Sequence, residues 1–591
     1  MANAVELQPM AARETLPAAW RAIITGDPLM LARASLVSSK STASARPHLR
    51  GAVASHSSHG SMVARQAQQV LSFDDPALFR GTRATTVMRC WGRVLGERLL
   101  NAKEHYELSE CVDHVDAFLS HNWSTPRHEK FLGLAVLFNL RAAVYSAAVT
   151  SVLCFLCTAA GLAPTIQTSH AGDEYPRGYL CQVMGMIVFV ATLILWQEVG
   201  PLLGFRGPVV FLDKVCVHQL DPALKRQGIE KLAAFVRYSW SMVVFYNDSY
   251  LKKLWTVYEL ATYLLMDPNG LLHMQPVSVA KTVLLGMGFV VVRRALFLFF
   301  WSTEVLDQVA TWLSTSQEIT SWMLSLLAML PQCLFMGFVT RKWAQEQASI
   351  IESVSSFSIS QTLCAQEEDR RLVEGNIEIF VKHFFDIHRG MSREEALRHF
   401  EEVVRTEVPN VLRSAWGDFG WRYMHTQAIF GVQWLYLFDC WAGQARTISR
   451  AWGDGRKVDA RVEFLHAANI FNWITSQTCI AGPLASASAF LVAKSSLKPG
   501  VGPMRGVLAT TCAAVIVYQG CYLASDELFA LAHRSLSFEH TSLHAAVNLI
   551  MLCMTLWVYR RPPTQRFQRR LHDRNDVLPA ARASARGGVT P

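Results

Sequence analysis

Two kinds of hydrophobic pattern alternate along the chain. Unbroken apolar stretches of about 20 residues, the length at which a helix crosses a hydrocarbon core, stand at 140–163, 179–203 and 319–339. A short loop with Asp173, Glu174 and Arg177 separates the first two, which predicts a helical hairpin with that loop outside. A further apolar stretch, 282–301, is interrupted by Arg293 and Arg294. Guanidinium groups at mid-span are costly unless they snorkel or line a polar space. That stretch therefore reads either as a tilted span or as an amphipathic cytoplasmic helix leading into a shorter one. The segment 304–318 carries only acidic charge, and 319–339 ends at Arg341 and Lys342, in keeping with acidic-outside, basic-inside flanks. Three later spans fall at about 465–492, 504–524 and 543–559, with a fourth candidate at 426–441. Seven or eight spans result. Arg446, Arg450, Arg456, Lys457 and Arg461 favour keeping 443–464 inside, whereas the basic tail from Arg560 favours an even number.

The second pattern consists of short apolar runs, each bounded by polar turn residues: 115–119 (VDAFL), 208–212 (PVVFL) and 242–246 (MVVFY). Such runs predict strands buried on both faces. Helices separate them. Asp221 caps and Pro222 opens one that runs through Tyr238, and another covers 250–266 before Pro268-Asn269-Gly270 stops it. Alternating strands and helices predict a parallel, doubly wound α/β sheet, in which ligands bind beyond the carboxyl ends of the strands. The residues 271–279 read as a fourth strand; a fifth is not evident, so the sheet reads as truncated.

These segments, "VDAFLSHNW", "VVFLDKVCVHQLD" and the run from Gly228 to Leu264, resemble TIR (Toll/interleukin receptor) domains. The resemblance is closest to the divergent TIR-like modules of multipass proteins from unicellular algae and other protists. Asp116, Phe118, Leu119, Ser120 and His121 match the first-strand motif, Phe211-Leu212-Asp213 the second strand end, and Trp255, Glu259 and Leu260 the helix motif, with Thr256 where the family commonly has Cys. The resemblance implies a flavodoxin-like parallel sheet, here interrupted by a transmembrane hairpin. The organisation that follows is 1–85 disordered, 110–139 the first part of the TIR-like domain, 140–203 the hairpin and 205–280 the second part. Beyond these come two membrane segments at 281–340, a polar cytoplasmic helical region at 341–424, three or four spans at 425–559 and a basic tail at 560–591. In the helical region, Ser392 caps a helix with Glu395 three residues on.

Half of the residues are apolar and 17% are charged, a balance that points to a multipass membrane protein and away from an ordinary soluble enzyme. The net charge of +9 carries no Lys/Arg block that would form a nucleic-acid groove, so the partners expected are the lipid bilayer and other TIR-like domains or a second copy. Thirteen cysteines are scattered without metal-like clustering. No Walker A, H-E-x-x-H or G-x-S-x-G motif occurs.

The resemblance implies a cytoplasmic signalling or assembly module that recruits other TIR domains through the loop after the second strand. It also implies an alternative, NAD glycosidic-bond cleavage, with Glu259 as the catalytic carboxylate and Ser120, Asn122, Trp123, Asp213, Asn247 and Trp255 lining the nucleotide cleft. A carboxylate there would stabilise an oxocarbenium-like ribose or attack it, as in glycosidases. No cofactor is required; NAD enters only as substrate. The plainer reading makes Glu259 an exposed or capping residue, Trp255 core, and His121 part of a structural turn. A third reading is a transporter or channel regulated by the TIR-like domain, with Arg293, Arg294 and Glu198 as candidates for a buried polar path.

Overall fold

The computed structural model describes residues 58–96, 102–170, 173–247, 250–267, 270–300, 303–364, 367–384, 391–416, 419, 422–498 and 500–560. Its centre is a six-stranded mixed sheet of β1 (Arg80–Arg83), β2 (Glu110–Cys111), β3 (Ala117–His121), β6 (Val209–Phe211), β7 (Ser241–Tyr246) and β8 (Leu271–Pro276), in the order β2-β1-β6-β3-β7-β8. The last four named are parallel to one another. Three of them, β3, β6 and β7, are the segments whose apolar runs predict strands, and they are buried along their whole length; β8 falls on the expected fourth strand. The antiparallel β1 and β2 form the edge beyond β6. With the helix Ser58–Leu71 they show that residues 58–85 are folded, contrary to the expectation of disorder; 1–57 and the tail 561–591 lie outside the described residues.

The chain leaves the sheet after β3, forms the helix Arg127–Phe138, and passes at Asn139 directly into the hairpin helices Leu140–Ala159 and Leu180–Val199. It then returns to pair β6 beside β3 in parallel, with Ala117 opposite Val210 and Phe118 opposite Phe211. The hairpin thus lies within the connection between two neighbouring strands. Its two ends are fastened twice. Asn139 donates to the Leu193 carbonyl at 2.9 Å and to Gln197 at 3.0 Å, and the Asp116 carboxylate accepts from the Val209 amide at 2.8 Å. The distal loop forms the two-stranded β4 (Ile166–His170) and β5 (Asp173–Arg177).

Six helices among the described residues are long and apolar enough to cross a membrane, which supports a multipass membrane protein. Two further long helices, Val279–Phe300 and Val432–Gly453, pack inside the same bundle. The first is one continuous helix through Arg293 and Arg294, so the divided alternative does not form. The segment 426–441 is broken at Gly431 into Tyr423–Phe430 and Val432–Gly453, and Arg446 donates to the Ala163 carbonyl. That contact places Arg446 at the end of the hairpin farthest from the sheet, whereas its charge predicts the sheet side.

The expected boundary at 340 is also crossed. The helix Gln317–Ser355 runs unbroken for 39 residues, about 58 Å at 1.5 Å per residue, past Arg341 and Lys342. Its start lies in the bundle, and Ile350 and Val354 enter the sheet core. The helices Glu367–Phe384 and Arg393–Trp416 that follow bury Val373, Ile377, Phe380, Phe400 and Val404 in that same core. The 341–424 region is thus a layer of the sheet domain. Its Ser392–Glu395 capping box forms as expected, with reciprocal bonds of 3.2 and 2.8 Å.

One contact ties the hairpin to the later helices. Asp439, 1% exposed, accepts from the Cys181 and Gln182 amides at 2.9 Å each, and so caps the start of Leu180–Val199 from a neighbouring helix. A carboxylate there satisfies two orphan N–H groups and complements the helix dipole. Asp439→Ala would leave them buried and unpaired, at a cost of about 1–3 kcal/mol. Thermal unfolding of the detergent-solubilised chain should show a lower midpoint for Asp439→Ala than for Asp439→Asn, which keeps one acceptor. Equal midpoints would remove the capping role.

Candidate functional site

The carboxyl ends of β3, β6 and β7 bring the expected residues into two groups. The first is buried. Ser120, near the end of β3, points at the helix Leu254–Met266 that follows β7. It donates to Glu259 Oε2 at 2.5 Å and lies 2.5 Å from the Tyr250 hydroxyl. Ser120, Tyr250 and Glu259 are 1%, 0% and 8% exposed. Thr256 donates to the Tyr250 carbonyl and fixes the turn that presents Tyr250. Burial pushes the Glu259 carboxyl up to about 8, a rise that the Ser120 bond moderates and Asp213 reinforces. Glu259 is therefore mostly protonated at neutral pH. It is neither an exposed nor a capping residue.

The second group sits on the rim. Trp123, after β3, is 37% exposed and donates its indole N–H to Asp213 Oδ2 at 2.5 Å. Lys214 lies 4.3 Å from the centre of the Trp123 ring and donates to the Gly96 carbonyl at 2.6 Å. Lys130 reaches the Trp123 carbonyl at 3.4 Å. Both lysines are buried, at 1% and 0% exposure, which is rare for this residue type. His121 is buried against this group, and burial holds its imidazole down at about 4, so it is neutral at physiological pH.

The remaining expected residues hold loops. Asn122 accepts from the Ser124 amide and hydroxyl at 3.1 and 3.0 Å, an Asx turn, and Asn247 donates to Thr125 at 3.3 Å. Trp255 is half-buried and meets Tyr258 edge-on at 5.9 Å. Tyr258 accepts from Asn376 at 3.1 Å, which ties this helix to Glu367–Phe384. Glu198 stands apart from any bundle path. Its carboxylate accepts from the Cys90 amide at 2.7 Å and pairs with Arg89 at 3.5 Å, at the foot of the hairpin.

Lys130, Lys214 and Tyr250 are the members of the site that residue patterns miss. Lys214 is adjacent to Asp213 in sequence, but nothing in its neighbours announces that it is buried. His218, in the loop after β6, accepts from the Asp221 amide at 2.9 Å and packs on Tyr106. Among the described residues, no group of three His, Cys, Asp or Glu could hold a metal ion. Comparison of the chain with protein-family models, curated proteins and solved structures finds no match.

The buried carboxyl makes stability depend on pH. The folded state keeps a proton on Glu259 that the unfolded chain releases above its ordinary value of 4.5. Glu259's contribution is complete below pH 4.5 and falls as pH rises to about 8. Glu259→Gln, which keeps the shape without the charge, should flatten that part of the profile. Glu259→Ala, which opens a cavity and removes Ser120's carboxyl acceptor, should cost most below pH 4.5 and progressively less as pH rises toward 8. Unfolding midpoints measured between pH 4.5 and 8 check this; equal slopes in the wild type and Glu259→Gln would contradict it.

Proposed function

We propose that this chain is a multipass membrane protein whose sheet domain acts on the cytoplasmic side as a TIR-type signalling or assembly module. The observation that favours this reading over NAD cleavage is the state of Glu259. A carboxylate that stabilises a departing ribose must be ionised and must touch the sugar. Glu259 is instead buried and bonded to Ser120, with Tyr250 beside them, and that burial raises its pKa to about 8.

An exposed surface suits the assembly role. After β6 the chain makes a short loop shaped by the His218–Asp221 bond, and Asp221 caps the helix Pro222–Glu230 through bonds to the Ala223 and Leu224 amides. Leu220, 62% exposed, sits on that loop, the one through which TIR domains recruit one another. An exposed leucine on a loop already held in place offers a partner an apolar contact without an ordering cost. Partner and copy need little reorganisation, because the loop conformation is already set by its own bonds.

The test uses the full chain in detergent. Cross-linking and light scattering should show self-association that Leu220→Asp reduces at least fivefold, while the unfolding midpoint stays unchanged. The same preparations incubated with NAD should leave it intact. NAD loss abolished by Glu259→Gln would overturn the module reading in favour of a glycohydrolase. Unaltered self-association in Leu220→Asp would remove the loop from the interface.

A further inference from the structure

Where the bundle meets the sheet domain, three helix ends are drawn together around one arginine. Arg341 stands on Gln317–Ser355, between its bundle part and the sheet core that Ile350 enters. It is buried, and it donates to the Ser496 carbonyl at 3.2 Å and to the Ser496 hydroxyl. Its guanidinium also lies against Gly506, so closely that a Cβ there would clash. Arg341 thus gathers the end of Gly482–Ser495, the start of Pro503–Ser535 and its own helix at one place. Lys342, Lys494, Lys498 and Arg505 all stand within two residues of this junction, and all four are exposed. Lys342 pairs loosely with Glu346 at 3.9 Å, and the other three form no ion pair among the described residues. No acid occurs anywhere from 494 to 508.

A groove of about 610 Å³ starts beside this cluster and runs away from the sheet, between Gln317–Ser355 and Pro503–Ser535. Leu334 and Leu508 line its near end, Leu327 and Cys512 follow, and Thr320 stands at its far end. Its wall is almost wholly apolar and opens at the bundle surface, where Leu334 and Leu508 are 45% and 59% exposed. Arg505, Leu508 and Cys512 are spaced i, i+3 and i+7, so one helix face carries both a cation and the groove wall. From Leu334 to Thr320 the groove spans about 21 Å at 1.5 Å per residue. That exceeds the half-thickness of a hydrocarbon core, about 15 Å, so a whole acyl chain fits along it. Apolar surface of this extent needs an apolar cover, and beside membrane-length helices that cover is lipid. The cations at its mouth select the lipid, because Lys and Arg clustered at the end of membrane helices attract acidic headgroups.

We infer that this face binds one anionic phospholipid, its headgroup held by Lys342, Lys494, Lys498 and Arg505 and one acyl chain laid in the groove. The site rests on the multipass part of the reading above and is independent of the signalling part. Its place gives it a mechanical role. The helix that carries Lys342 continues into the sheet core, so a bound lipid braces the junction of bundle and sheet.

The probe is phosphatidylserine, titrated into the detergent-solubilised full chain, with the unfolding midpoint and the lipid retained in native mass spectrometry as readouts. The wild type should show a saturable rise in midpoint with one lipid retained, and no comparable rise with phosphatidylcholine of the same chains. The triple variant Lys494→Gln, Lys498→Gln, Arg505→Gln should bind at least tenfold more weakly. Cys512→Phe, which fills the groove and leaves the cations in place, should bind at least threefold more weakly. Equal responses to the two lipids, or unchanged affinity in either variant, would overturn the site. So would an equal rise with soluble glycerol phosphate, which would make the ligand a free phosphate. Release of the chain from membranes by alkaline carbonate would remove the multipass reading itself, whereas a retained chain that ignores phosphatidylserine overturns the lipid site alone.

Discussion

The parallel pairing of β3 with β6 is the constraint on which the rest of the molecule depends. Between these neighbouring strands the chain travels out through two membrane-length helices and back. Parallel neighbours always need a long crossover, and here the crossover contains the hairpin. Because both strands belong to one sheet, both ends of the hairpin lie on one side of any bilayer it enters. Asp116 shows how closely the return is specified. Its amide donates to the Val209 carbonyl at 2.8 Å while its carboxylate accepts from the Val209 amide, so the residue that opens the first-strand motif also seats the first residue of β6. The same pairing puts Trp123, which follows β3, within reach of Asp213, which follows β6.

The parallel strands β3, β6 and β7 were legible because burial on both faces writes itself as an apolar run, bounded by polar residues where the chain turns. β1 was not, because an edge strand of sequence Arg80-Gly81-Thr82-Arg83 has no such run; it is held by Thr82 and Arg83 pairing with Val210 and Val209. The helices at 341–424 could be read from their apolar stripe, but a stripe reveals that a face is covered and not what covers it. Only packing shows Tyr258 stacked on Phe380 and Trp416 against Tyr246. The candidate site divides in the same way. Ser120, Asp213 and Glu259 could be named from motif positions, and they do gather at the strand ends. The burial of Glu259 could not, because it depends on packing against Ser120 and Tyr250, which the fold brings together.

Glu259 illustrates why residue type alone decides little. A carboxylate in a solvated cleft and one beneath Ser120 and Tyr250 carry opposite chemistry at the same pH, and desolvation is the largest cause of the difference. The Thr256 hydroxyl contributes by holding the Tyr250 turn over the acid.

Two of the links between sheet and bundle are stiff. The hairpin enters through Arg127–Phe138, whose Gly133 lies against the Phe245 ring so closely that an added Cβ would sit 2.7 Å from it. The helix Gln317–Ser355 has one part of its length in the bundle and the other in the sheet core. Close-packed interiors transmit displacement instead of absorbing it. A tilt of that helix within the bundle must therefore move Ile350 and Val354 in the sheet core, and with them the layer that contacts the helix carrying Glu259. The hairpin would have to shift in step, because Asp439 fastens its second helix to the bundle at the far end. Both ends of the hairpin are thus anchored, one to the sheet and one to the bundle. A rearrangement of the bundle can reach the surface of the sheet domain only as a concerted motion of the two stiff links.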